Sequence, residues 1–446
     1  MALSGIQIYK LLPQTNCKDC GYPTCLAFAM KLAAKQVELS LCPHVSEVSK
    51  AQLAESAAPP IRLITLSADG HQVKAGHETT LFRHEKTFVN KPGFFLRVSD
   101  DHTPAAIQAQ LAPAAAYRVT YVGRELSLDG FAVESFTGDP AAFAAAVQAT
   151  RAVAERPLIL ISRQPAVIAT GLLVAGDKGT LIHAANPGNW EAMAALAKQY
   201  GAALVVQAST LEELAGLTEK IKAKGVEDLV LDPGARDLEG VLVLHTQVRR
   251  LALKKNFRPL GYPLITFPGD TADPAHEAMQ ASQAIAKYAG FIVVNHFEPA
   301  VAYPLLVLRE NIYTDPQKPI QVQPGLYEIN NPKPDDPLLV TTNFSITYFS
   351  VANEVEGSGL PAWLLVADAE GMSVLTAWAA GKFDAEKIAR DLKRFNVTDK
   401  VRRKRLIVPG HVAVISGELE EELPDWEVRV GPREAVDLPA FMKQAL

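Results

Sequence analysis

After residue 42 the chain contains no cysteine; all four lie in one early segment, Cys17-x2-Cys20-x4-Cys25-x16-Cys42, of a 446-residue sequence. That distribution argues against a disulfide framework through the body of the protein. An uninterrupted apolar run of about 20 residues is also missing, so no membrane span is expected. The N-terminus, Met1-Ala2-Leu3-Ser4-Gly5, lacks the charged and apolar regions of a secretory leader, so a reducing cytoplasm is expected. Excess positive charge is lacking too. The formal net charge is −5 and the pI about 6.1. The dense basic run Arg402-Arg403-Lys404-Arg405 precedes apolar Leu406-Ile407-Val408 and reads as a solvated helix end or loop. Nucleic-acid binding is therefore not expected. What remains is an ordinary globular composition, 48% hydrophobic and 21% charged, long enough for two or three domains.

Clustered cysteines call for a metal. A 4Fe–4S cluster takes four thiolates. Structural zinc does too, usually from two tight knuckles. Here three cysteines crowd together and Cys42 returns from afar, and Cys20-x4-Cys25 is loose for a knuckle. Ligand type and spacing favour iron–sulfur, with zinc as the alternative. Leu26–Ala33 has helical period and would carry the chain back toward Cys42. Gly21 and Pro23 break the loop, so backbone N–H groups can point at the sulfurs.

Residues 1–57 read as a small unit of helix, cysteine loop, helix and helical tail Ser46–Ser56, stapled by its metal. Ala57-Ala58-Pro59-Pro60 reads as a linker. Short apolar runs then alternate with helical stretches. Strands are expected at Phe94–Val98, Val119–Val122, Leu158–Ser162, Leu181–Ala184, Ala203–Gln207, Leu229–Leu231, Leu264–Phe267 and Phe291–Val294. Helices are expected at 140–154, 190–200, 209–224, 237–255 and 273–289. This alternation predicts a (β/α)8 TIM-type barrel over 58–320. Asp232 and Asp270 fall at strand ends, where catalytic groups of barrels sit, but turn and helix-cap chemistry accounts for both more simply. The other charged residues of the mouth read as few and scattered, so the barrel reads as a scaffold.

Proline-rich Gln317–Pro337 reads as a second linker or wrapping segment. Strands Leu338–Thr341, Trp363–Ala367, Leu406–Val408 and Val428–Val430 follow, with helices near 345–355, 373–380, 385–395 and 411–422. They predict a doubly wound, Rossmann-like α/β domain over 321–446, with ligand at the strand carboxyl ends. Those ends read Thr341-Thr342-Asn343-Phe344-Ser345, Asp368-Ala369-Glu370-Gly371-Met372-Ser373-Val374, Pro409-Gly410-His411 and Gly431-Pro432. Helix N-termini there offer unpaired N–H groups, and glycine lets backbone approach a large planar cofactor. Ordinary loop chemistry with Ser and Thr caps is the equal alternative. The motif Asp-x-His-x-x-Gly, which supplies a lower histidine ligand in many cobalamin domains, is missing; Asp100-Asp101-His102 begins like it but lacks the glycine. His411 is a lone candidate ligand, better read as a helix-start residue.

The cysteine spacing, the barrel and three C-terminal segments together resemble the large subunit of corrinoid iron–sulfur proteins. The segments are Thr341–Ser345, Gly371–Trp378 and Ile415–Glu420. The resemblance spans essentially the whole chain. It implies a methyl carrier of the reductive acetyl-CoA (Wood–Ljungdahl) pathway in an anaerobe. Cobalamin would sit on the C-terminal domain, at an interface with a small barrel subunit of the heterodimer. A methyltransferase would bring methyl from methyltetrahydrofolate to Co(I). Acetyl-CoA synthase/CO dehydrogenase would receive it. A 4Fe–4S cluster on Cys17, Cys20, Cys25 and Cys42, served by a reductive activator, would restore Co(I) from Co(II). The missing histidine motif fits a cobalt without protein imidazole. Residues placed around the corrinoid are Thr341, Asn343, Ile346, Thr347, Glu370, Gly371, Met372, Ser373, Val374, Leu375, Gly410, His411, Gly431 and Pro432.

Two rivals remain at this level. One is a barrel enzyme with an iron–sulfur electron-entry domain, working through Asp232 or Asp270 without cobalt. The other is an assembly subunit with a zinc module. A bulky residue at Gly371 is expected to lower corrinoid retention and leave the cluster intact. Normal corrinoid content in that variant would remove the loop from the cofactor wall.

Overall fold

The computed structural model describes all residues except 1–3, 35, 51, 52, 54–58, 177, 178, 272, 317–319 and 446. Two compact units emerge: Met1–Tyr117 with Ser127–Tyr313, and Arg118–Leu126 with Thr314–Leu446.

The first unit begins with the cysteine segment. Ser4 and Gln7 form a reciprocal capping box at the start of helix Gly5–Leu11, and Thr24 caps helix Cys25–Ala33 through the Ala27 N–H. Within the expected tail Ser46–Ser56, residues 47–50 are helical, while 51, 52 and 54–56 lie outside the described residues, as do Ala57 and Ala58 of the linker.

A hairpin of β1 (Ile64–Ala68) and β2 (His71–Ala75) comes next. Then follow β3 (Gly93–Ser99), a short antiparallel pair β4 (Val119–Tyr121) and β5 (Arg124–Leu126), and β6 (Gly130–Glu134). The series continues with β7 (Leu158–Ile161), β8 (Leu181–Ala185), β9 (Ala203–Gln207), β10 (Leu229–Asp232), β11 (Leu264–Thr266) and β12 (Ala289–Val294). Strands β3 and β6 to β12 close into an eight-stranded parallel barrel.

Both faces of these strands are buried, which explains near-continuous apolar runs such as Leu158–Ile161. Phe95, Ile159, Val205, Val230 and Phe291 fill the interior. Phe94, Leu96, Phe131, Leu160 and Leu204 pack under the surrounding helices. Phe95, Phe131, Phe143 and Phe291 are completely buried, each contributing about 1.5–3 kcal/mol of hydrophobic stabilisation. Ile64, Leu66, Val73 and Ala75 of the hairpin join the interior layer. Their approach needs glycine at the strand starts. A Cβ on Gly93 would lie 2.6 Å from Val73 Cγ1, and one on Gly290 would lie 2.9 Å from Ala75 Cβ.

Val119–Val122 is not a barrel strand. Val122 and Gly123 both take positive φ and turn the chain into the β4–β5 hairpin. Gly130–Glu134 occupies the barrel position instead. Helices Pro104–Ala116, Pro165–Ala175 and Pro299–Ile312 complete the outer layer, beyond the expected set.

In the second unit, β13 (Gly325–Ile329), β14 (Leu338–Thr342), β15 (Ala362–Ala367), β16 (Arg405–Val408) and β17 (Glu427–Val430) form one sheet in the order β13-β15-β14-β16-β17. Only β13, absent from the sequence reading, runs antiparallel. Apolar layers cover both faces, one containing Val340, Leu365, Phe383 and Ile388, the other Leu339, Val355, Leu364 and Met442. The sheet is thus mixed, with its parallel strands β14, β15 and β16 buried on both faces. The expected helix 411–422 is a 3-10 turn, Gly410–Ile415, followed by helix Ser416–Glu422. Helix Leu438–Ala445 has no counterpart among the expected helices. The β4–β5 hairpin packs here: Gln323 N–H donates to the Val122 carbonyl at 3.1 Å.

His245, on helix Leu238–Lys254, is buried, and desolvation pushes its imidazole down to about 4. The unfolded histidine holds a proton that the folded one rejects. Its contribution is complete above about pH 6.5 and is lost as pH falls toward 4. His245→Gln is expected to narrow the drop in Tm between about pH 7 and about pH 5 by thermal melts.

Candidate cofactor sites

The cysteine loop owes its shape to left-handed residues. Gln14, Asn16, Lys18 and Gly21 have φ of 57°, 50°, 70° and 80°. Such conformations turn successive N–H groups toward one side, a concavity suited to anionic sulfur. Asn16 makes this concrete. Its N–H lies 3.4 Å from Cys25 Sγ, and its Oδ1 accepts the Cys25 N–H at 2.8 Å. All four thiols are free; Cys25 and Cys42 are buried, Cys20 is half-buried and Cys17 is exposed. Cys20, Cys25 and Cys42 share an apolar cluster with Phe28, Val45 and Leu53. Asp19 and His44 pair beside Cys17, and that hydrogen bond holds the Asp19 carboxyl below its usual range. Four thiols with a backbone N–H aimed at sulfur fit a soft metal centre.

The second site lies in the C-terminal unit. Strand order reverses about β14, since β15 lies on one side of it and β16 on the other. Ligands of doubly wound folds bind at such a switch point. A cleft of about 550 Å³ opens there. Of the residues expected around a cofactor, Thr341, Ile346, Thr347, Ser373, Val374, Leu375, His411, Gly431 and Pro432 line it. Thr341 is fully buried and its hydroxyl has no hydrogen-bond partner. An unpaired hydroxyl in a cleft wall is the kind of group a ligand satisfies. Ile346 and Val436 stand 65% and 67% exposed, an apolar rim open to a large partner. His411 Nε2 lies 3.7 Å from Glu434 Oε1.

Asn343, Glu370, Gly371, Met372 and Gly410 do not line the cleft. Asn343 is buried and its amide is bonded to the loop after β15. Glu370 pairs with Lys382 at 2.8 Å. A Cβ on Gly371 would meet the Gln321 side chain at 2.7 Å, and one on Gly410 would meet the Gly431 carbonyl oxygen at 2.6 Å.

At the barrel mouth the charges are gathered, not scattered. Arg97 from β3 bridges Glu134 and Asp270, both at 2.8 Å. Arg236 bridges Asp270 at 3.0 Å and Asp232 at 2.8 Å. His183 and Gln207 each donate to Asp232 at 2.9 Å, as does the Gly234 N–H. Burial alone would raise the Asp232 carboxyl, but bonds from His183 and Arg236 hold it well below the usual range. Burial pushes Glu134 up against the pull of Arg97. The following helices are capped by Asp237 and Asp273. Asp232 and Asp270 are therefore not helix caps but ion-pair partners.

Comparison with known proteins decides the family. The family described as "CO dehydrogenase/acetyl-CoA synthase delta subunit" matches residues 63–442. The "Corrinoid/iron-sulfur protein large subunit" of Moorella thermoacetica is 44% identical over 100% of both chains. This chain belongs to that family. The family described as "Putative Fe-S cluster" matches residues 12–44, which include all four cysteines. The "Acetyl-CoA decarbonylase/synthase complex subunit gamma" of Methanosarcina acetivorans is 35% identical over 99% of this chain and 98% of its own. Dihydropteroate synthase from Thermus thermophilus, in complex with 6HMPPP, aligns at 18% identity and a TM-score of 0.38, over 56% of this chain and 99% of that one. Among the described residues no helix is long and apolar enough to cross a membrane.

Within this family member the sequence reading missed part of the cleft. Ser350, Val351 and Glu354 line it from helix Ser345–Ser358. Their spacing of four and seven or eight from Ile346 and Thr347 was the available signal. Arg433 and Glu434 line it from the bend after β17, and Ala435 and Val436 from the short 3-10 helix Ala435–Asp437. For the cysteine site, Cys25→Ala removes a buried thiol together with its Asn16 contact. Bound iron by metal analysis is expected to fall by half or more, while the thermal transition of the barrel stays in place.

Proposed function

We propose that this chain is the cofactor-bearing subunit of a methyl carrier, with a corrinoid in the C-terminal cleft and a 4Fe–4S cluster on Cys17, Cys20, Cys25 and Cys42. The cleft carries the reading. It opens where the strand order of the C-terminal sheet reverses, and it holds a buried hydroxyl without a partner. Family membership adds relatives named for corrinoid, iron–sulfur and the acetyl-CoA decarbonylase/synthase complex. A corrinoid bound there would supply cobalt to take up and release a methyl group, and the cluster would supply single electrons to keep the cobalt reduced.

The chain's own residues do the binding and orienting. Thr341 offers a hydroxyl to a polar edge of the cofactor. Ile346, Val374 and Leu375 give apolar contact and exclude water. Tight packing of Gly410 on the 431–433 backbone brings two loop ends together as one wall. We assign His411 to the rim, beside Glu434, and not to the metal. The open side of the cleft suits a second subunit. The partners we assign are a small barrel subunit, a methyltetrahydrofolate methyltransferase, acetyl-CoA synthase/CO dehydrogenase and a reductive activator. Free clustered thiols suit a reducing cytoplasm. In the barrel, Asp232 and Asp270 are committed to arginines, which supports a scaffold over an independent active site.

The test is an anaerobic metal and sulfide analysis, with a visible spectrum, of the chain co-produced with its small subunit. About four iron and one cobalt per heterodimer, with corrinoid bands, are expected. Iron without cobalt after corrinoid is supplied would instead favour a barrel enzyme with an electron-entry domain.

A further inference from the structure

The loop after β15 runs from Asp368 to Ser373 and delivers Ser373, Val374 and Leu375 to the cleft. It is held by two buried polar side chains that do not line the cleft. Asn343, just beyond β14, is 1% exposed, and Asp391, on helix Ala385–Arg394, is fully buried. Asn343 Oδ1 accepts N–H bonds from Ala369 and Gly371, both at 2.9 Å. Its Nδ2 donates to Gln321 Oε1 and to Asp368 Oδ1, both at 3.4 Å. Asp391 Oδ2 accepts the Asp368 N–H at 3.3 Å, while its Oδ1 takes Lys387 Nζ at 3.1 Å.

We propose that Asn343 is a positioning residue for the corrinoid: it fixes the Ala369–Ser373 backbone so that the cleft wall exists before the cofactor arrives, with Asp391 as its second anchor. This inference rests on the corrinoid reading of the cleft. Three observations support it. One carbonyl oxygen satisfies two backbone donors that would otherwise be buried without partners, so the loop has a single low-energy path. Glu370 and Gly371 take φ of 54° and 75°, conformations that persist where the surroundings over-determine them. The Gly371 position faces Gln321, so the amide group of Asn343 and the Gln321 side chain hold the loop through residues that do not line the cleft. A preorganised wall loses less conformational entropy on binding, which raises affinity without a new contact.

The experiment uses the full chain in complex with its small subunit, under anaerobic conditions. Asn343→Leu removes the one oxygen that accepts both N–H bonds while keeping the number and branching of side-chain heavy atoms. Corrinoid affinity by visible titration is expected to weaken about tenfold or more. Exchange of the Ala369 and Gly371 amides should accelerate, with iron per complex unchanged. Asn343→Asp keeps that accepting oxygen but loses the Nδ2 donor, setting a second carboxylate oxygen against Asp368 and Gln321. It is expected to fall between the leucine variant and wild type in both exchange and affinity, and it stands in if the leucine variant does not fold. Wild-type affinity and wild-type amide exchange in the leucine variant, or in the aspartate variant of weakened affinity with unchanged exchange, would overturn the positioning role. A wild-type complex that takes up no corrinoid would overturn the cleft reading and this inference with it.

Discussion

A parallel sheet buried on both faces can present chemistry only at the ends of its strands. That constraint governs both units. Side chains along the barrel and along the C-terminal sheet are consumed by packing, with Phe95 and Phe291 inside the barrel and Leu364 and Leu365 on opposite faces of β15. Polar and titratable groups collect where the strands stop. In the barrel those ends meet one another and satisfy one another. In the C-terminal unit the reversal of strand order parts them, and the cleft at the carboxyl ends of β14 and β16 remains open.

The two sets of strand ends differ in how they treat water. Asp232 receives five donor contacts, from His183, Gln207, Gly234 and twice from Arg236. A buried carboxylate needs such company, since its desolvation exceeds what one partner returns. The result is a mouth closed by its own charges. The C-terminal cleft instead leaves Thr341 and an apolar rim without internal partners. One set of strand ends is internally paired, and the other leaves a cleft.

Much of this was legible in the sequence because parallel strands print as short apolar runs. Seven of the eight runs read as barrel strands are barrel strands. The exception, Val119–Val122, is β-branched and apolar enough to pass, but the positive φ of Val122 and Gly123 cannot be read from residue type at Val122. Gly130–Glu134 escaped because it begins with glycine and follows a charged segment. The cysteine site was readable because ligand spacing is local. The cleft was half readable. Strand ends announced themselves, but which side chains face the opening depends on packing. Asn343 shows the difference: sequence placed it at the correct strand end, and only the fold shows its amide spent on the loop after β15.

Residues 118–126 interrupt the barrel sequence yet belong to the C-terminal unit. The chain therefore enters that unit twice. During synthesis the hairpin leaves the ribosome about 200 residues before Val322 and Tyr327, so at roughly 5–20 residues per second it waits on the order of ten seconds or more for its partners. Val122, buried in the finished protein, spends that interval uncovered. Any attempt to express the C-terminal unit from residue 314 onward would leave the Val322 and Ile329 layer without the hairpin that covers it.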